Sequence, residues 1–194
     1  MSHPDQIKWD QRYKENQGKP QAACVLSDNQ HLLPNGGTAL ELACGIGGNA
    51  LFLAEHGFEV TAWDISPVAI ELLQQHAREK NLPLKAEARD VTTQPPPANS
   101  FDVIVVSYFL ERTLSHTIIN ALRNNGLLFY QTFSSTRLHD RGPRNPAFRL
   151  KENELLHMFK PLVVRYYREE ASCGDTTQGL RDEACLVAQK IIDL

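Results

Sequence analysis

Thr38-Ala-Leu-Glu-Leu-Ala-Cys-Gly-Ile-Gly-Gly-Asn-Ala-Leu-Phe-Leu-Ala-Glu-His-Gly-Phe-Glu-Val-Thr-Ala-Trp-Asp64 reads as one βαβ unit. A short apolar strand over 38–42 enters a glycine turn at Gly45, Gly47 and Gly48. A helix over 49–56 follows and stops at Gly57, a residue suited to the left-handed position after a helix. A second strand over 58–63 ends on a carboxylate, Asp64. The ligand loop of such a unit lies at the C-terminal end of the first strand. Its glycines let backbone approach a ligand closely, and the helix N-terminus offers amide donors and a partial positive charge. A carboxylate ending the next strand suits the two hydroxyls of a ribose. The expected ligand therefore carries a ribose beside a polar or anionic group.

The chain has 194 residues, enough for one core and one domain. Its 42% hydrophobic and 22% charged residues are those of a globular protein, and a net charge of -3 disfavours a broad nucleic-acid face. No apolar run approaches a membrane span, and residues 1–10 lack the apolar centre of a signal peptide, so the expected location is cytoplasmic. Cys24, Cys44, Cys173 and Cys185 form no Cys-x-x-Cys pair, and no metal site is expected. Cys44, in the glycine turn, fits packing against a ligand better than redox chemistry.

Working outward, Trp9-Asp-Gln-Arg-Tyr13 places two aromatics and an arginine near the N-terminus. They form either a lid over a ligand or a segment packed on the core. Residues 21–33 carry helical spacing and end at Pro34-Asn-Gly-Gly37. Ser66-Pro67 starts a helix with Val68, Ala69, Leu72, Leu73 and Ala77 on its apolar face. Leu84, Ala86 and Ala88 alternate with charged residues in a third strand that ends at Asp90-Val91. The apolar run 102–107 predicts a central parallel strand covered on both faces. A helix over 115–123, closed by Asn125-Gly126, and a fifth strand over 127–133 follow. The loop 134–150 carries Arg137, Arg141, Arg144 and Arg149, and a loop this long is functional or disordered. An amphipathic helix over 152–159 precedes two strands, 162–170 and 181–191, paired antiparallel through the loop at Gly174. The alternation of β and α gives a doubly wound α/β domain.

Leu40-Glu-Leu-Ala-Cys-Gly-Ile-Gly-Gly-Asn49 resembles the first motif of class I S-adenosylmethionine-dependent methyltransferases. Glu41 fills its acidic place; Ala43, Gly45 and Gly47 fill the three glycine places, the first as alanine. Asp64 matches the ribose-binding position, Asp90-Val91 the adenine position and Ser107-Tyr108 the strand end beside the methionine part. Trp9-Asp-Gln-Arg-Tyr13 and Asn145-Pro-Ala-Phe-Arg-Leu-Lys-Glu-Asn-Glu-Leu155 resemble segments of the tellurite-resistance-type and small-thiol methyltransferases. Glu111-Arg112 stands where thiopurine-type relatives carry an arginine near the reacting groups. The resemblance implies a Rossmann-like methyltransferase fold: a mostly parallel seven-stranded sheet with a C-terminal antiparallel β-hairpin. It implies one domain over 1–194, with a lid and helix at 1–33, a cofactor core at 38–133, a substrate loop and helix at 134–161 and a hairpin at 162–194. It implies S-adenosyl-L-methionine held by Trp9, Arg12, Glu41, Ala43, Cys44, Gly45, Gly47, Asp64, Ile65, Asp90, Val91 and Ser107. Tyr13 and Arg112 would position the reaction, and Tyr108, His116, Arg144 and Arg149 would meet a small anionic or soft acceptor such as tellurite, selenite or a small thiol.

Gly45-Ile-Gly-Gly-Asn-Ala50 also fits Gly-x-Gly-x-x-Ala, the nicotinamide fingerprint. Glu41, which would crowd a pyrophosphate, Asp90, an acceptor for the adenine amino group, and the late hairpin speak against an NAD-dependent oxidoreductase. A non-catalytic S-adenosylmethionine-binding module would share the cofactor residues but needs no acceptor side. An RNA methyltransferase would add a basic recognition domain, and would carry an Asn-Pro-Pro-Tyr-type tetrapeptide where Ser107-Tyr-Phe-Leu110 stands.

Overall fold

The computed structural model describes residues 3–15 and 18–191. The remaining few positions of the expected lid and hairpin lie outside the described residues. In chain order the elements are α1 (His3–Glu15), α2 (Cys24–Ser27), β1 (Gly37–Leu42), α3 (Gly48–Glu55), β2 (Phe58–Asp64), α4 (Pro67–Glu79) and β3 (Leu84–Ala88). There follow β4 (Phe101–Ser107), α5 (Ser115–Ala121), β5 (Leu122–Phe133), α6 (Glu154–Met158), β6 (Val163–Glu169) and β7 (Glu183–Gln189).

Seven strands form one sheet in the order β3-β2-β1-β4-β5-β7-β6. The first five run parallel; β7 is antiparallel to β5, and β6 to β7. The strand order reverses between β1 and β4, so the crevice beyond their C-terminal ends is where a ligand meets an open α/β sheet. The apolar run in β4 is buried on both faces, as its composition requires. Val103 and Val105 join α2, α3 and α4 on one side. Ile104 and Val106 join Leu114, Ile118, Leu155 and Phe159, from the α5 and α6 side, on the other. Ser66 caps α4 by accepting from Ala69 N at 3.2 Å, and Pro67 takes the first helical position.

Three elements differ from the sequence reading. Residues 21–33 form a one-turn α2 and a 3₁₀ turn at Gln30–Leu32, not a continuous helix. The amides of Ala23 and Val25 are captured by the Asn49 and Gln131 side chains, at 2.8 Å each, which pins the segment to the core. β5 starts at Leu122, directly after α5, because Leu122 pairs with Phe101 before the register shift opposite Val103. That shift takes up Asn125, which has a φ of 64°, so Asn125-Gly126 bends the strand and does not close a helix. The helix expected over 152–159 is confined to α6, with Leu155 and Phe159 buried.

Candidate functional site

β1 and β2 end at the same level, and the glycine turn between β1 and α3 overlaps the end of β2. Ala43, Gly45 and Gly47 all lie at positive φ (53°, 53° and 81°). Ala43 thus holds a left-handed conformation that glycine would adopt at lower cost. A Cβ on Gly48 would stand 2.0 Å from the Gln21 carbonyl, so this glycine admits the backbone that leads into α2.

Two buried carboxylates organise the turn. Glu41, 1% exposed, accepts from the Asn49 side chain and the Ala50 amide at 2.7 Å each. Asn49 is a hub: its amide nitrogen also donates to Ser107 Oγ at 2.9 Å, and its oxygen accepts from Ala23 N. Asp64, 5% exposed, accepts from Gly45 N at 2.8 Å and Ser66 N at 2.9 Å. Burial pushes the Glu41 carboxyl up to about 8 against the pull of those hydrogen bonds, and pushes Asp64 up as well. Burial, with Glu41 and Asp64 nearby, holds the Cys44 thiol well above its ordinary range, so Cys44 stays protonated and is no nucleophile. The α3 amide expected to face a ligand is instead bound by Glu41.

A cavity of about 900 Å³ opens beyond these strand ends. Its floor holds Glu41, Ala43, Cys44, Gly45, Asp64 and Ile65, with Val91 and Ser107 beside them. α1 supplies Trp9, Arg12 and Tyr13 from above. Tyr13 packs so closely that a Cβ on Gly45 would lie 2.8 Å from its hydroxyl. The two rings of α1 stack 5.8 Å apart, Arg12 lies over Trp9 at 5.1 Å, and Ser66 Oγ donates to Asp10, tying α1 to the start of α4. α1 thus packs on the fold with Trp9, Arg12 and Tyr13 along the cavity.

At the other end, Tyr108 (φ 55°) lies 5.3 Å from Phe133, ring to ring. Buried Gln131 fixes this corner. Its amide nitrogen donates to Tyr108 Oη at 3.2 Å and to Glu183, while its oxygen accepts from Val25 N. Glu183, 2% exposed, pairs with Arg141 Nη2 at 2.8 Å.

Several expected site residues stand elsewhere. Gly47 caps α3 under Leu73, and Asp90 accepts from Thr92 N and Oγ1 in its own turn; neither lines the cavity. Arg112 also lies outside it. Its guanidinium is bound bidentately to Glu154, at 2.7 and 3.0 Å, and to the carbonyls of Ala147 and Arg149. Arg149 is buried, with all three nitrogens on the carbonyls of Ser134, Pro143 and Arg141. Both arginines knit the 134–150 loop, with every guanidinium nitrogen already bonded within the protein. Arg144 is solvent-exposed beside Asp140, and His116 is exposed on α5 against Asn120.

The cavity adds residues the sequence reading passed over as site residues: Asn49, Arg89, Thr132 and Glu183; of the loop arginines expected to attract an anion, it is lined by Arg141. One signal was present. Asp182-Glu183 is a carboxylate pair opening the otherwise apolar strand Ala184–Ala188, and a buried charge there needs a partner. Among the described residues no group of three or more His, Cys, Asp or Glu could hold a metal ion, and no helix is long and apolar enough to cross a membrane.

Residues 39–126 match a family described as a methyltransferase domain. The chain is 29% identical over 136 residues to the probable S-adenosyl-L-methionine-dependent methyltransferase TehB of Haemophilus influenzae, which covers 67% of this chain and 47% of that protein. It is 45% identical over 51 residues to an S-adenosyl-L-methionine-dependent Diels-Alderase of Talaromyces variabilis, 26% of this chain and 18% of that one. The solved structure of TehB from Haemophilus influenzae superposes with a TM-score of 0.70 at 23% identity, over 94% of this chain and 67% of the other. The chain thus spans less than half the length of these curated relatives, and the structural likeness is one of fold.

Proposed function

We propose that this chain, whose residues 39–126 match a methyltransferase domain and which is similar to TehB, transfers a methyl group from S-adenosylmethionine to a small soft or anionic nucleophile, such as a thiol, tellurite or selenite. One observation carries the cofactor part. Two buried carboxylates, Glu41 and Asp64, stand at the switch point, and among the described residues neither pairs with a lysine or arginine. Burial without a cation costs free energy that a positively charged ligand offsets. A pyrophosphate would find no lysine or arginine paired at these carboxylates, and Glu41 already takes the Ala50 amide it would use. Both points favour S-adenosylmethionine over a nicotinamide dinucleotide.

S-adenosylmethionine, when bound, supplies a methyl activated on a sulfonium. The residues then have to hold, orient and exclude water. Asp64 keeps lone pairs beyond those given to Gly45 and Ser66, enough for ribose hydroxyls. Val91 and Ile65 give the base apolar walls, and Ser107 and Asn49 fix the strand end beside the methionine part. Trp9 and Tyr13 close the top. Alignment is the main contribution such a site makes, and a partly ionised thiol needs no general base. Tyr108 stands at the acceptor end; Arg112, Arg144, Arg149 and His116 are not part of the proposal.

A thermal-shift comparison tests the cofactor. S-adenosylhomocysteine should raise the melting temperature and NADH should not; the reverse would overturn the assignment. Release of S-adenosylhomocysteine with tellurite, selenite and small thiols tests the acceptor. Inactivity across that panel would remove the acceptor class and leave the cofactor in place, as a binding module requires.

A further inference from the structure

Arg141 is the one cation of the 134–150 loop that lines the cavity. It is also held differently from its neighbours. Arg149 spends every nitrogen on carbonyls within the loop. Arg141 is anchored along one edge only: Nε to Asp182 at 3.4 Å, Nη2 to the Arg181 carbonyl at 2.6 Å and to Glu183 at 2.8 Å. Among the described residues its Nη1 makes no hydrogen bond. Both anchoring carboxylates are buried at the start of β7; Asp182 is fixed by the amides of Leu138 and His139, and Glu183 by Gln131. The result is a half-exposed guanidinium, set rigidly at the cavity wall, with one donor edge left over.

The walls beside it are aromatic. Phe133 is paired with Glu183 across the β5–β7 ladder and lies tilted at 39° against Tyr108. Phe148 lines the same cavity at 52% exposure, a large apolar face left in contact with water. Aromatic faces suit a planar conjugated body, and a guanidinium edge suits one oxyanion. The single donor edge left on Arg141 matches one oxyanion.

Resting on the methyl-transfer reading, we infer that Arg141 binds the acceptor, and that the acceptor is a planar conjugated molecule bearing a single oxyanion such as a carboxylate, stacked between Phe148 and the Tyr108–Phe133 pair. Three thiols separate the parts: 4-mercaptobenzoate has ring and anion, thiophenol the ring alone, mercaptoacetate the anion alone. The chain should favour 4-mercaptobenzoate in kcat/KM. Arg141→Gln should lower that value about ten- to a hundred-fold through KM and leave thiophenol unchanged. An equal fall for all three thiols, or no fall for 4-mercaptobenzoate, overturns the inference. Should Arg141→Gln not fold, Phe148→Ala carries the test, because this side chain is half exposed. It should raise KM roughly five-fold for both aromatic thiols and not for mercaptoacetate; an equal effect on all three overturns the stacking. If none of the thiols is turned over, benzoate binding to the S-adenosylhomocysteine complex is read by tryptophan fluorescence, since Trp9 lines the cavity. Saturable binding lost in Arg141→Gln supports the inference, and no saturable binding overturns it. Failure of S-adenosylhomocysteine itself to bind would instead bring down the methyl-transfer reading.

Discussion

Glu41 shows how one residue can be found in the sequence for a reason the structure then revises. Its place two before the glycine turn marks it as part of the site, and it does lie on the cavity floor. Its bonds, however, go to Asn49 and Ala50, so it ties β1 to α3. The pH behaviour follows. The carboxyl ionises near 8 in the fold and near the ordinary 4.5 when exposed. Between those values the folded chain holds the extra proton, so the Glu41 contribution to stability declines as pH rises through that window. A cationic ligand favours the carboxylate, so binding at pH 7 expels protons. Titration calorimetry of S-adenosylmethionine in phosphate and in Tris should show heats that differ by this release, and Glu41→Gln should shrink the difference. Equal heats in the two buffers for the unsubstituted chain would sink the argument.

At the scale of elements, legibility depended on where hydrogen bonds are made. β1, α3, β2 and α4 follow local rules of strand, turn, cap and periodicity, and their bounds were readable to within a residue or two. α2 does not, because Asn49 and Gln131, which are 26 and 106 positions away, take its amides. No window of sequence contains that information. Gly48→Ala should undock this segment: the new methyl meets Gln21 backbone, which cannot swing aside as a side chain would. Overpacking of this kind costs about 1–3 kcal/mol, and the Val25 amide should lose its protection from hydrogen exchange; retained protection would count against the clash. The arginines of the 134–150 loop were readable as a group and not one by one, since which of them reaches the cavity is set by tertiary contacts. Arg112→Gln separates the two jobs. It breaks the Glu154 pair and two carbonyl bonds, and should lower stability by about 1–3 kcal/mol with KM for the acceptor unchanged. A raised KM at unaltered stability would return Arg112 to the site.

For the whole molecule, the class of fold came from the alternation of β and α, and the position of the site came from the reversal of strand order at β1 and β4. The late strands were legible as an antiparallel pair. Their insertion with β7 inward and β6 outward rests on apolar content: β7 is buried along most of its length, while β6 is largely exposed or half-buried. That order has a consequence for synthesis on the ribosome. The chain completes β6 before the strand it pairs with exists, and the outer edge of β5 stays open until β7 has been made. The five parallel strands and the cofactor floor can assemble earlier, but they wait with an apolar edge available to other nascent chains. A chain stopped after Cys173 should therefore be recovered mainly in the insoluble fraction, and adding a peptide of residues 174–191 during refolding should restore solubility. Soluble, cooperatively folding truncated chain would show that the sheet tolerates the open edge.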